Sequence, residues 1–143
     1  MNRHLILQSG AVRLRSIEED DLADLRLWKN ANRQSFFFKG EITAESQKAW
    51  FQGYLARPDD YMFLVESGAV RAGCRGFRLE NGAADCYNII GAVRGKGLMT
   101  SAMRTMCSYV LKEYADRIGC RVLKDNPAVG WYKKCGYVIL VRR

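Results

Sequence analysis

A glycine-rich stretch with two basic residues, residues 94–99 (Arg-Gly-Lys-Gly-Leu-Met), has the residue types that bind phosphate groups. It lies between a strand-like segment, residues 86–90, and residues 100–114, which carry apolar side chains at helical spacing. A turn between a strand and a helix presents backbone N–H groups at the positive end of the helix dipole. Its glycines let phosphate oxygens approach the main chain, and its basic residues add positive charge. The stretch therefore predicts a cradle for a nucleotide-like cofactor.

By itself this turn leaves an ordinary solvated loop as an open alternative. It lacks the glycine spacing of the dinucleotide-binding fingerprint. It also lacks the Gly-Lys-Ser/Thr ending of a P-loop, because Lys96 is followed by Gly97 and Leu98. A second motif has to decide between the two interpretations.

That second motif is residues 126–137 (Asn-Pro-Ala-Val-Gly-Trp-Tyr-Lys-Lys-Cys-Gly-Tyr). Together the two motifs resemble the GNAT superfamily of N-acetyltransferases. In that family an Arg/Gln-x-x-Gly-x-Gly/Ala turn is followed by an Asn, a helix bearing a Tyr, a basic residue and Gly-Phe or Gly-Tyr. The matching positions in this chain are Arg94, Gly97, Asn126, Tyr132, Lys134, Gly136 and Tyr137. Met99 departs from the pattern, which prefers Gly or Ala, and its long side chain is expected to narrow the pyrophosphate groove.

The resemblance implies an α/β (α+β) fold with a mixed, mostly antiparallel sheet flanked by helices on both faces, as a single domain over residues 1–143. The local patterns give the same order of elements. They predict strands at 12–15, 61–66, 70–79, 86–90, 121–123 and 137–141, and helices at 22–30, 44–56, 100–114 and 127–134. Thr43 is a predicted N-cap and Asn81-Gly82 a predicted hairpin turn.

The C-terminus is expected to be shortened relative to the family. Family members usually have a further strand after the last one predicted here, and the sequence ends at Arg143. Two interpretations stay open: the strand is absent, or a partner chain in a homodimer supplies the missing edge.

Composition predicts a folded domain in a reducing compartment. Of the 143 residues, 48% are hydrophobic and 27% charged, which disfavours global disorder. No apolar run approaches the roughly 20 residues of a membrane span, so no membrane partner is expected. The five cysteines are scattered without a C-x-x-C pair, and His4 is the single histidine. We therefore expect no metal site and a cytoplasmic location.

Positive charge is concentrated in the second half of the chain. Residues 1–70 hold 9 basic and 10 acidic residues, whereas residues 71–143 hold 14 basic and 5 acidic ones. A positive field around the predicted phosphate turn suits an anionic cofactor. Nucleic-acid binding is the rival interpretation, but the basic residues are dispersed and no nucleic-acid motif is present.

The resemblance also implies the chemistry: an amine attacks the thioester of acetyl-coenzyme A directly, without an acetyl-enzyme. Tyr132 matches the tyrosine that protonates the departing thiolate, although helix packing is an alternative role. Asp85, at the start of the strand before the turn, is the candidate general base, with a solvated turn residue as the alternative. Period two places Tyr87 and Ile89 on the face of Asp85. The predicted cofactor-binding residues are Ile89, Ile90, Arg94, Gly95, Lys96, Gly97, Leu98, Met99, Thr100, Asn126 and Lys133.

Acceptor recognition is expected in the first half of the chain. Trp28-Lys29-Asn30 resembles the Trp-Arg-Asn element of relatives that acetylate amino sugars or protein N-termini. The predicted substrate-binding residues are Trp28, Asn30, Phe37 and Trp50, with core packing as the alternative for the tryptophans. The favoured acceptor is an amino sugar, free or nucleotide-linked. A protein N-terminus or lysine is the second hypothesis, and a non-catalytic module that binds coenzyme A or a protein is the third.

Overall fold

One mixed sheet of six strands organises the described part of the chain, with the spatial order β1-β2-β3-β4-β5-β6. The structure, a computed structural model, describes residues 5–36, 40–93 and 96–120. Neighbouring strands run antiparallel except β5 and β6, which are parallel. The strands are β1 (Ile6–Ser9), β2 (Val12–Ser16), β3 (Asp60–Ser67), β4 (Val70–Glu80), β5 (Ala83–Gly91) and β6 (Arg117–Cys120).

Helices cover both faces of this sheet, because strand side chains alternate between two apolar clusters. On one face, α1 (Leu22–Ala31) and α2 (Ala44–Ala56) pack against inward-facing residues that include Met62 and Leu64. On the other, α3 (Leu98–Glu113) packs against a second set that includes Phe63 and Val65. The mostly antiparallel sheet with helices on both faces confirms the predicted fold class.

Local sequence signals set the boundaries of several elements. Thr43 caps α2, since its hydroxyl accepts a hydrogen bond from the Ser46 N–H at 3.1 Å. Asn81 and Gly82 have φ angles of 51° and 77°, as a two-residue hairpin turn requires, and they join β4 to β5. Both features were predicted from the residue types.

The first described strand was not predicted from the sequence. This additional strand, β1, pairs with β2 at the outer edge of the described sheet, where the sequence shows only a short apolar piece. The described strand β6, Arg117–Cys120, directly precedes the strand predicted at 121–123. The predicted elements at 121–123, 127–134 and 137–141 lie outside the described residues.

Candidate active site

Strand β5 carries the predicted contacts for an extended ligand. Its first part, Ala83–Cys86, pairs with the described strand β6, Arg117–Cys120, and the strand continues to Gly91. An extended chain that carries amide groups binds a strand through backbone hydrogen bonds. Ile89 and Ile90, the predicted contacts for the pantetheine arm, lie in the later part of β5.

A β-bulge at Asn88 changes which residues of β5 share a face. Cys74 pairs with Ile90, but Gly76 pairs with Tyr87, so β5 carries one extra residue over this interval. Asn88 has a φ of 50°, in the left-handed region that Asn tolerates better than most residues. The extra residue reverses the alternation that period two would give.

The prediction that Asp85, Tyr87 and Ile89 share a face is therefore wrong. Tyr87 and Ile90 pack against the α1/α2 cluster, whereas Ile89 packs against the α3 cluster. Asp85 stands before the bulge, opposite Arg78 of β4 and Gly119 of β6.

The predicted phosphate turn ends at the N-terminus of α3. Gly97 is the N-cap residue with a φ of 68°, a conformation that glycine adopts without a steric penalty. The Ser101 N–H donates to the Gly97 carbonyl at 3.0 Å and is the first to enter the helical pattern, so the N–H groups of Leu98 and Met99 precede it. Lys96 is exposed beside this turn. Arg94 and Gly95 lie outside the described residues.

Met99 points toward the sheet, which corrects the expectation that its side chain narrows the pyrophosphate groove. Its sulfur lies 3.0 Å from the place where a Cβ on Gly73 would stand, and its Cγ lies 3.1 Å from the corresponding point on Gly91. The side chain also packs against the α3 cluster. The Met99 side chain, at a position where the family prefers Gly or Ala, therefore fills space between the turn and the sheet.

The predicted acceptor residues Trp28 and Trp50 come together on the α1/α2 face. Both are half-buried against the same apolar cluster, and Trp50 stacks on Tyr54 with ring centroids 5.4 Å apart. Asn30 uses its side-chain amide to hold the segment before α2: its Nδ2 donates to the Ile42 carbonyl at 3.0 Å, and its Oδ1 accepts from the Ile42 N–H at 2.8 Å. Phe37 lies outside the described residues.

Lys29 connects α1 to the bulge of β5, a contact that the sequence prediction missed. Its Nζ donates a hydrogen bond to Asn88 Oδ1 and lies 3.5 Å from the ring centroid of Phe36. Burial lowers the pKa of Lys29 to about 8, with a smaller opposing effect from Cys74 and a further lowering by Arg78. The Trp28-Lys29-Asn30 element gave a signal for Lys29, but nothing in the sequence indicated the bulge that it contacts.

A second polar cluster, also missed from sequence, lies on the same face. The Tyr87 hydroxyl donates to Oδ1 of Asp60, a carboxylate that is 1% exposed. The other oxygen of Asp60 accepts from Arg57 Nε at 3.0 Å and lies 3.5 Å from Arg78 Nε. Burial and the neighbouring carboxylate raise the pKa of Tyr87 well above its ordinary value, so its hydroxyl stays protonated at neutral pH. The carboxylate of Asp60 is thus shared among three donors.

The described cysteines are free thiols, and burial keeps two of them protonated. Burial raises the pKa of Cys74 and that of Cys120 to about 12 each. A neutral thiol is a poor nucleophile, which agrees with transfer that does not pass through an acetyl-cysteine. Within residues 5–36, 40–93 and 96–120, no group of three His, Cys, Asp or Glu side chains is arranged to hold a metal ion.

Three remaining predicted residues, Asn126, Tyr132 and Lys133, lie outside the described part of the chain. Their roles stay predictions.

Among the described helices, none combines the length and the apolar character needed to cross a membrane.

The described chain is an α/β protein with a mixed sheet in which strand β5 precedes the N-terminus of helix α3. The sequence profile of the acetyltransferase (GNAT) domain matches residues 11–138, and the chain belongs to this family. It is an N-acetyltransferase whose cosubstrate is acetyl-coenzyme A. No curated protein sequence matches significantly.

Solved structures of low sequence identity share this fold. RimL, a ribosomal L7/L12 alpha-N-protein acetyltransferase in complex with coenzyme A, is 20% identical with a TM-score of 0.80, over 96% of this chain and 86% of that one. Spermidine N-acetyltransferase from Vibrio cholerae, in complex with coenzyme A and spermine, is 22% identical with a TM-score of 0.76, over 91% and 82%. A putative acetyltransferase from Agrobacterium tumefaciens is 21% identical with a TM-score of 0.70, over 91% and 99%.

Proposed function

We propose that this enzyme transfers acetyl directly to a primary amine of a small molecule, with an amino sugar, free or nucleotide-linked, as the favoured acceptor. In this proposal the turn and the start of α3, residues 94–100, hold the pyrophosphate of acetyl-coenzyme A. The backbone of Ile89 and Ile90 holds the pantetheine arm. Asn126 and Lys133 are additional contacts of the cosubstrate. The N–H groups that precede Ser101 at the start of α3 support the placement of the pyrophosphate.

The charge of the α1/α2 face is the observation that carries the choice of acceptor. Arg57 and Arg78 bring positive charge to it, and they already share the buried carboxylate of Asp60 with the Tyr87 hydroxyl. A polycation such as spermidine would meet repulsion there. An acceptor with hydroxyl or phosphate groups beside its amine would meet donors of hydrogen bonds, flanked by the aromatic side chains of Trp28 and Trp50.

The chemical step needs the two reactants to be held together and two protons to be moved. The acceptor nitrogen attacks the carbonyl carbon of the thioester, the C–N bond forms, and the C–S bond breaks. Tyr132 is the proposed donor of a proton to the departing thiolate. Asp85 is the acceptor of the amine proton that the sequence predicts.

A second candidate acceptor is a protein N-terminus, with a protein lysine as a related one. The similarity of fold to RimL, which is named as an alpha-N-protein acetyltransferase, favours keeping this alternative. A segment of extended peptide would have to reach the same face between α1 and α2. A module that binds coenzyme A without catalysis is the remaining alternative.

A panel of acceptors tests the proposal by release of free coenzyme A thiol. The panel holds a free amino sugar, a nucleotide-linked amino sugar, spermidine and a short peptide with a free N-terminus. We expect the sugars to give the highest kcat/KM and Tyr132→Phe to reduce kcat without loss of coenzyme A binding. Preference for the peptide or for spermidine would overturn the acceptor assignment, and binding without any transfer would favour the non-catalytic module.

We further propose that the enzyme is cytoplasmic and that it forms a homodimer. The exposed outer edge of β1, with Ile6 58% exposed, supports an association through this part of the sheet. Light scattering coupled to size exclusion gives the mass directly, and a monomeric mass would overturn the dimer.

A further inference from the structure

The Lys29 side chain is held in an unusual setting for a lysine. It leaves α1, passes into the space between the helix and the sheet, and ends at Asn88 on the bulge of β5. The ring of Phe36 covers the nitrogen from a second side, at 3.5 Å from the centroid. Within the described residues no carboxylate contacts Nζ.

One bonding direction of the Lys29 nitrogen is not used by any described residue. A neutral amine has two N–H groups and one lone pair. Asn88 Oδ1 and the face of Phe36 accept the two N–H groups. The remaining tetrahedral direction carries the lone pair in the neutral amine and a third N–H in the ammonium. Proton exchange along that direction disturbs neither contact.

The location of this nitrogen is next to the proposed cosubstrate strand. Asn88 directly precedes Ile89 and Ile90, the residues of β5 proposed to hold the pantetheine arm. Lys29 also follows Trp28, one of the proposed acceptor contacts. The nitrogen therefore stands where the acceptor side of the site meets the strand proposed to hold the thioester arm.

We propose that the neutral amine of Lys29 is the general base that takes the first proton from the acceptor ammonium, an inference that rests on the proposed function. The acceptor ammonium gives this proton to the lone pair of Lys29 and becomes the nucleophile. After the C–N bond forms and the C–S bond breaks, the second proton ends on sulfur: Tyr132 donates to the thiolate and regains a proton from the nitrogen. Lys29 then releases its proton to solvent, so one proton leaves per turnover.

The groups around Lys29 support a nitrogen that is neutral in part at physiological pH. From β4, the cationic Arg78 disfavours the ammonium. Cys74 favours the ammonium by less than burial disfavours it, and burial raises the pKa of its thiol to about 12. From β5, Tyr87 is protonated and bonded to Asp60 of β3. From α2, the Tyr54 hydroxyl accepts from the Met62 N–H at 3.1 Å. Burial without a counter-ion is the physical cause of the pKa of about 8.

Asp85 is less well placed for this role. It stands three positions before the bulge, where β5 still pairs with β6. Lys29 instead contacts the bulge itself. The two candidates predict different pH profiles, because a carboxylate base would titrate on the acid side of neutrality and Lys29 on the alkaline side.

The pH dependence of kcat/KM, measured with the best acceptor of the panel, separates these possibilities. We expect activity in the wild type to rise with pH through a pKa near 8, beyond any contribution from the acceptor amine, which is titrated separately. Lys29→Arg keeps a cation but cannot deprotonate, so it should lose about 100-fold or more in kcat/KM, as should Lys29→Met. Both variants should keep the affinity for coenzyme A, which shows that they fold. Recovery of activity by Lys29→Arg, or a limb near pH 8 that persists in it, would overturn the inference and indicate a positioning role.

Asn88→Asp supplies a sharper test, because it places a carboxylate on the partner of Lys29. It should raise the pKa of Lys29. The limb of the pH profile along which kcat/KM rises should therefore move to higher pH by about one unit or more. Asn88→Gly is the matched control, since it keeps the left-handed backbone and adds no charge. An unmoved limb in Asn88→Asp would contradict the inference.

Titration of the lysine side chains by NMR gives a readout that needs no turnover. The Nζ signal assigned through Lys29→Arg should titrate near pH 8 in the wild type and higher in Asn88→Asp. A value above 10 in the wild type would overturn the inference, whatever the acceptor. Coenzyme A binding with no transfer to any acceptor would overturn both the proposed function and this inference, whereas transfer with an unaltered Lys29→Arg profile would overturn the inference alone.

Discussion

Met99 lies with its sulfur 3.0 Å from the position that a Cβ atom on Gly73 would occupy, so the first turn of α3 sits directly on β4. The side chain reaches the α3 cluster on the inner side of the turn. This contact joins the proposed phosphate-binding turn to the centre of the sheet, and it makes the cofactor site depend on core packing.

Met99→Ala tests which way this side chain acts. Because it packs on the sheet, the substitution should lower the free energy of unfolding by about 1–3 kcal/mol, as for a partly buried large-to-small change. The dissociation constant for coenzyme A should stay within about twofold of the wild type. Urea unfolding and calorimetry measure the two quantities. A large gain in affinity with unchanged stability would show instead that the side chain obstructs the groove.

Gly73→Ala should be among the most damaging single-methyl changes in the described chain. A Cβ at Gly73 would stand 2.1 Å from the Ile90 carbonyl oxygen, a backbone atom that cannot move aside. We expect a loss of about 4 kcal/mol or more in the free energy of unfolding. Gly10→Ala is the control: Gly10 also has a positive φ, but nothing lies within 4 Å, so about 1 kcal/mol is expected. Equal effects of the two changes would refute the clash.

We expect the free energy of unfolding to fall in acid, because the Asp21 carboxylate becomes protonated. Its carboxylate is 2% exposed and contacts Arg15 at 3.0 Å and Arg71 at 2.9 Å. Burial opposes its ionisation, but these arginines and the Glu18 N–H hold the pKa below its ordinary value of 3.8. A lowered pKa stabilises the folded state above pH 3.8, and this contribution is lost as the pH falls below it.

Urea unfolding of the wild type and Asp21→Asn at several pH values measures this effect. Asp21→Asn should lower the free energy of unfolding at pH 7 by about 2 kcal/mol, because it removes the buried carboxylate that Arg15 and Arg71 share and leaves them with Glu66 and Asp24. The difference between the two proteins should shrink below pH 4. A difference that stays constant with pH would rule out ionisation of Asp21 as the cause.

We expect the buried side chain of Arg75 to lower the free energy of unfolding. It is 0% exposed, its Nε and Nη2 contact the sulfurs of Met106 and Met103, and its Nη1 has no hydrogen-bond partner among the described residues. A buried cation with such weak partners costs more in desolvation than it gains. Arg75→Met, of similar volume, should raise the free energy of unfolding by about 1–4 kcal/mol, whereas Arg75→Lys should not. A lower melting temperature for Arg75→Met would point to an anionic partner beyond the described residues.

The elements with strong local signals could be predicted from the sequence. Thr43 fixes the start of α2 through its cap, and Asn81-Gly82 fixes the hairpin through its positive φ angles. The edge strand β1 was missed because Ile6–Ser9 is too short to carry a periodic pattern, and its formation depends on pairing with β2.

The site could be predicted in outline but not in its details. The glycine turn predicted the phosphate-binding end, and the Trp28-Lys29-Asn30 element directed attention to α1. The bulge at Asn88 has no sequence signature, because an Asn in a strand is compatible with either register. Without the bulge, the faces of Tyr87 and Ile89 and the partner of Lys29 could not be inferred.

Coenzyme A binding by calorimetry, with variants of Gly97, is the most direct test of acetyl-coenzyme A binding at the start of α3. Gly97 has a positive φ and open space around it, so Gly97→Gln and Gly97→Glu share the same backbone strain and differ in charge. Binding should be clear in the wild type, weakened in Gly97→Gln and abolished in Gly97→Glu, because the carboxylate would repel the pyrophosphate. Equal binding by all three proteins would contradict a cosubstrate site at this turn.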